Sequence, residues 1–336
     1  MRISPIDIST IPGRSAVSFW AYPEPIRHEC EAIVVDLRTG DIIGRIPGHV
    51  IASQIDWNDT GYGVFSLTRT PGDTARIKVV EPRGFCIEKS FGLERNVLQA
   101  KWISPVEVAF ITLSGDIPST GPPAYECDIG LLDTSTAAVR MVTSCHDVQP
   151  PLQVVSGELW YVRAGEGYTE VHSLRSQRSV WCAPKGSYLG DVVQISNSGS
   201  VLALKTDPRI ISLIVKMLRY PCRLGRIIPA VREGWLKPMG ASVVDGNSGT
   251  VSWSSPPGEV LTGAIGDGGK VALSLRLSAR RYGLAEYDMP RGSEHIIACG
   301  GVPINVATWA DDGWIATQDD RAVVLLRRGN MDQVFP

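Results

Sequence analysis

Three of the chain's five histidines, His28, His49 and His146, fall in turn-rich segments rather than in apolar runs. Neutral imidazole binds metals through a ring nitrogen, and its proton exchange near neutral pH makes it a frequent general acid or base. Glu166, Glu94 and Asp191 occupy comparable segments and would serve as carboxylate partners. One chemical reading is therefore a small-molecule lyase, cyclase or isomerase. In it His28, His49, His146 and Glu166 move protons or hold a divalent metal, the cofactor that reading would require. Trp20 and Trp235 lie close to loops and offer ring faces for stacking on a ligand. The sequence contains no HExxH, EF-hand, P-loop, Rossmann or GxSxG signature, so no strong catalytic fingerprint stands behind these residues.

Whether such residues meet depends on the elements that carry them. A short apolar run, an acid, several turn residues and a second apolar run recur at Val34-Val35-Asp36-Leu37-Arg38-Thr39-Gly40, Leu131-Leu132-Asp133-Thr134-Ser135-Thr136 and Val243-Val244-Asp245-Gly246-Asn247-Ser248-Gly249. Looser copies stand at Val79-Val80-Glu81-Pro82-Arg83-Gly84 and Tyr287-Asp288-Met289-Pro290-Arg291-Gly292. Each predicts a β-hairpin whose acidic side chain bonds backbone N–H groups two residues on. A second signal precedes each hairpin: a strand, a polar turn and another strand, as in Ile55-Asp56-Trp57-Asn58-Asp59-Thr60-Gly61 before Val64-Phe65-Ser66. Joined, the two signals supply four strands, one blade of a propeller.

Trp57-Asn58-Asp59-Thr60-Gly61 and Trp309-Ala310-Asp311-Asp312-Gly313 resemble the blade turn, close to Trp-Ser-Pro-Asp-Gly, of WD40-like propellers of the TolB and PD40 type. The resemblance is at the level of architecture and implies an all-β, closed propeller. That group is functionally diverse and implies no single activity. Cutting at the signals gives one propeller domain with blades near 1–47, 48–92, 93–147, 148–187, 188–257, 258–300 and 301–336. Seven is the count, with six or eight left open. Met1 to Ile11 is either an inner strand or a segment that closes the ring on the last blade.

In a propeller, the connection between second and third strands and the link to the next blade open on one face, the mouth of the central channel. His28, His49 and His146 sort to that face, whereas His172 and His295 sort to outer strands. The fifth blade carries a mostly helical or irregular insertion near 208–239. The insertion has seven basic residues, Arg219, Arg223 and Arg226 among them, against Glu233 alone. Its net +6 within a chain of −2 leaves about −8 elsewhere. Most tryptophans fall in or beside strands and are expected to pack between blades.

The whole-chain charge of −2 gives no pull toward nucleic acid, and no apolar run is long enough to span a bilayer. Seven scattered cysteines without a CxxC pair read as free or buried thiols of a reducing compartment. With no apolar leader at the start, the expected location is cytoplasmic. The leading functional expectation is a rigid interaction platform that contacts a protein or small-molecule ligand through the channel mouth and the basic insertion. The mouth-histidine enzyme is the alternative, and a non-catalytic sugar or peptide sensor the third reading.

Overall fold

A computed structural model describes residues 2–4, 7–23, 29–49, 52–67, 74–114, 126–142, 148–165, 168–175, 179–182, 189–205, 240–310, 313–327 and 330–335. Their strands form seven antiparallel sheets, at 2–49, 56–93, 96–141, 148–182, 189–254, 259–300 and 304–335. Six sheets have four strands in chain order, and the first has a fifth because Arg2–Ile3 and Ser9–Thr10 both pair with Ala16–Tyr22. This is the all-β, seven-bladed propeller that the repeats predict. The insertion near 208–239 lies outside the described residues.

Burial grades radially along each blade. The second strands Ala16–Tyr22 and Gly313–Gln318 are buried at every position but the last, because both faces meet a neighbouring sheet. The outer strand Val139–Met141 is exposed throughout. Seven apolar clusters fill the seven gaps between adjacent blades. Several polar atoms in those gaps are paired across them, while Trp102 Nε1 is buried without a partner. Trp57 Nε1 donates to Ser18 Oγ (2.8 Å), Trp314 Nε1 to Glu286 Oε2 (2.9 Å), Leu152 N to Gln99 Oε1 (2.9 Å) and Ile265 N to Gln194 Oε1 (2.7 Å). In six blades the third and fourth strands slip register by a bulge, which twists the outer edge away from chance pairing.

The acidic hairpin turns have one construction. Asp36 Oδ1 accepts N–H groups from Arg38 and Thr39, Asp133 Oδ1 from Ser135 and Thr136, and Asp245 Oδ1 from Asn247 and Ser248. Four residues beyond each acid the backbone turns left-handed, at Gly40 (φ 75°), Ala137 (60°) and Gly249 (70°). The looser copies do the same at Phe85 (56°) and Gly292 (62°). Glycine adopts that conformation without steric cost, whereas alanine and phenylalanine do not.

The ring closes without lending a strand. The segment before Ile11 pairs inside the first sheet, so of its two sequence readings it is the inner strand. A two-residue turn on the seventh blade, Asp319 (φ 52°) and Asp320 (φ 53°), presents the Asp320 carbonyl to Ile3 N–H at 2.7 Å. The Asp320 carboxylate accepts from Asn305 Nδ2 (3.2 Å) and faces Arg2 at 3.6 Å. Behind this contact Ile3, Ile8 and Phe19 pack against Ile315, Leu325 and Phe335, with the two phenylalanine rings edge to face at 5.1 Å.

Candidate functional site at the channel mouth

Antiparallel order fixes which ends of the strands share a face. The ends joined by second-to-third connections and by links between blades form the mouth. In the first blade that face gathers Asp7, just ahead of Ser9–Thr10; Tyr22, which ends Ala16–Tyr22; and Cys30, near the start of Glu29–Asp36. Tyr22 Oη donates to Asp7 Oδ2 at 2.8 Å. Burial pushes the Asp7 carboxyl up to about 6, against the opposing pull of hydrogen bonds from Tyr22 and Ser4. Burial and the adjacent Asp7 charge raise the Tyr22 phenol well above its ordinary value. Burial, then the charges of Asp7 and Glu31, push the Cys30 thiol up to about 12. Cys30 is therefore a thiol and a poor nucleophile at neutral pH. Asp7 is the group of this set that exchanges a proton near neutrality.

The sequence-derived candidates divide. His49 ends the outer strand Ile42–His49, in register opposite Glu29, rather than opening the following junction. It shares the mouth end of the first blade with Asp7 and Tyr22. Glu94 is exposed in the link between second and third blades, beside the Arg95–Asp128 pair at 3.5 Å. Asp191 lies within the strand Leu189–Ile195. Trp20 is not a ligand platform: it is fully buried, donates Nε1–H to the Ser53 carbonyl at 2.8 Å and meets the Phe65 ring at 5.2 Å. Gly48 leaves the room its ring occupies. His28, His146, Glu166, Arg219, Arg223, Arg226 and Trp235 lie outside the described residues.

His172, expected to be structural, is buried, pairs with Glu170 Oε2 at 2.7 Å and stacks on Tyr161. Among the described residues no group of three or more His, Cys, Asp and Glu side chains could hold a metal ion, and no helix is long and apolar enough to cross a membrane. Sequence reasoning missed Asp7, Tyr22 and Cys30. Asp7 precedes one strand while Tyr22 and Cys30 belong to two others, and only the pairing of the first sheet brings them to one end.

No protein-family model and no curated protein sequence matches the chain. Solved structures do match its fold. The β-propeller domain of the Trilobed protease from Pyrococcus furiosus, described as having an open velcro topology, superposes over 98% of this chain and 95% of its own with TM-score 0.59 and 11% identity. Pyrococcus horikoshii acylaminoacyl peptidase matches over 100% of this chain and 52% of its own, with TM-score 0.61 and 15% identity. Kuenenia stuttgartiensis hydrazine synthase matches over 99% and 95%, with TM-score 0.56 and 14% identity. At these identities the likeness shows the fold alone, a propeller of WD40- and TolB-like architecture.

Proposed function

We propose that this chain is a binding platform whose contact surface is the channel mouth together with the basic 208–239 insertion, and that it takes a protein or small-molecule ligand there. The observation that carries the reading is the clamp at the insertion's base. Lys205 N donates to the Gly240 carbonyl at 2.8 Å, and Leu204 stands in register with Ala241. The chain thus leaves and re-enters the fifth blade at one point of the mouth face, and a segment of net +6 is anchored there on a body of about −8. Such a segment complements an acidic partner, and binding through it would weaken with salt. Because its ends already meet, 206–239 can be replaced by a short Gly-Ser linker without disturbing strand register. Partner recovery from matched pull-downs should fall in the linker variant while its melting temperature holds. Equal recovery from both proteins would remove the insertion from the contact surface.

Asp7 favours the second reading, a small-molecule enzyme with His28, His49, His146 and Glu166 at the mouth. A half-buried carboxyl that titrates near 6 at that face is suited to proton transfer. Elemental analysis separates its versions: a stoichiometric metal lost on His49→Ala supports ligation, whereas metal-free protein leaves acid–base chemistry alone.

A further inference from the structure

We propose that the inner edge of the first blade, Arg2–Ile3 and Ser9–Thr10 with Asp7 between them, is a latch governed by pH. It seats firmly in acid and loosens toward neutrality, and it lies where the first and seventh blades meet.

The latch is lightly fastened. Each piece places two residues in register with Ala16–Tyr22: Arg2 and Ile3 stand opposite Tyr22 and Ala21, and Ser9 and Thr10 opposite Ser18 and Val17. To this ladder are added Ile3 N to the Asp320 carbonyl at 2.7 Å, Gln54 Nε2 to the Ile8 carbonyl at 2.6 Å and the Ser9–Ser18 hydroxyl pair at 2.9 Å. Apolar burial does most of the holding, because Ile3 and Ile8 are fully enclosed in the seam cluster. The seated form therefore predominates, and pH sets how often it opens.

Into this fastening the fold sets a carboxyl without a counter-charge. Asp7 accepts from Tyr22 Oη at 2.8 Å and from the Ser4 hydroxyl, both neutral donors. Arg2, the one cation of residues 2–10, faces Asp320 at 3.6 Å instead. Among the described residues the titratable groups around this segment are Tyr22 from the second strand, Cys30 and Glu31 from the third and Asp320 across the seam. Each is neutral or negative, so none of them compensates an ionised Asp7. Burial holds the Asp7 proton up to about 6 while the segment is seated, against an ordinary 3.8 in water. Protonation thus favours the seated form in full below 3.8, and that gain is lost as pH rises through about 6. Lifting the two short pieces hydrates the charge without unpairing Ala16–Tyr22 from Glu29–Asp36, which makes a local opening the cheapest relief. Such an opening takes Ile3 from Asp320 and both isoleucines from the seam cluster, so the seam loosens with it.

Hydrogen exchange on the full chain, corrected for the intrinsic effect of pH, reads the latch directly. The Ile3 amide should be at least about tenfold less protected than that of Ala109, in the middle of a buried strand, and should lose about a further tenfold between pH 5 and pH 8. Asp7→Asn should abolish the second effect and leave the first. Tyr22→Phe removes a bond that favours the charged carboxylate, so the loss should run on to higher pH. An Ile3 amide as protected as Ala109, a pH response that survives in Asp7→Asn, or a loss ending at the same pH in Tyr22→Phe overturns the latch. Should Asp7→Asn fail to fold, Tyr22→Phe decides alone. No partner, ligand or metal enters the measurement, so its failure is separate from failure of the binding platform.

Discussion

The ring of Phe85 occupies the space that a side chain at position 44 would need. A Cβ built on Gly44 would lie 2.7 Å from Phe85 Cγ, so the outer strand of the first blade and the hairpin turn of the second fit only because one residue is bare. Phe85 takes a left-handed backbone to reach this place, meets the Trp57 ring edge to face at 5.8 Å and lies beneath the Arg14 guanidinium.

Gly44→Ala should therefore destabilise the protein by about 1–3 kcal/mol through overpacking. Phe85→Gly relieves the backbone but empties the gap, and a net loss of about 2–4 kcal/mol is expected. Urea unfolding followed by tryptophan fluorescence measures both, and a gain in stability for Phe85→Gly would show that strain outweighs packing there.

Ala137 holds the position that Gly40 and Gly249 hold in the sister turns. Nothing in this exposed turn is packed upon its methyl group in the way that the gap between blades is packed upon Phe85. Ala137→Gly should raise stability by about 0.5–1 kcal/mol, as the relief of the left-handed alanine exceeds the added freedom of the unfolded chain. The midpoint of urea unfolding should move up with an unchanged slope.

Asp7 makes stability depend on pH. Its carboxyl holds a proton more tightly in the folded protein, near 6 against an ordinary 3.8, so the fold gains from this group in acid. That contribution is complete below 3.8 and is lost as pH rises through about 6. Asp7→Asn keeps an acceptor for Tyr22 and removes the buried charge. It should be more stable than the native protein by about 1–3 kcal/mol at pH 8, with the difference closing near pH 4. A constant difference across that range would mean that Asp7 does not titrate as its surroundings imply. Glu81 and Asp133 act in the opposite sense, because backbone and hydroxyl hydrogen bonds in their turns hold them below their ordinary values. Their stabilising contribution is present above those ordinary values and lost in stronger acid.

Asp320 tests the closure of the ring. Asparagine tolerates a left-handed backbone and can still meet Asn305, so Asp320→Asn should change stability by less than about 0.5 kcal/mol, its exposed pair with Arg2 being weak. Asp320→Ala should cost about 1 kcal/mol or more. Hydrogen exchange at the Ile3 amide should quicken in the alanine variant before exchange in the middle of other blades does.

Much of this architecture is legible in residues that turn the chain. Asp36, Asp133 and Asp245 announce hairpins because the physics is local: a carboxylate two residues from the N–H groups it accepts. Phe85 is not legible in the same way, since a large aromatic at a left-handed position makes sense only once the bare backbone of Gly44 is beside it. Trp20 misleads for the same reason. Its neighbours Tyr22 and Pro23 suggest the approach of a loop, yet the indole points into the gap between the first two blades, where Gly48 makes room. Asp7 and Tyr22 carry no motif, and their meeting is a product of sheet order.

The first and seventh blades share side chains and a few backbone contacts but no strand. Every other pair of neighbouring blades also meets through oily side chains, but is tied as well by the chain that runs from one to the next, a tie this one radius does without. The protein resembles a split washer more than a welded hoop: strain on its bore is expected to open it here first, and whatever seats next to Arg2, Asn305 and Asp320 would feel that opening.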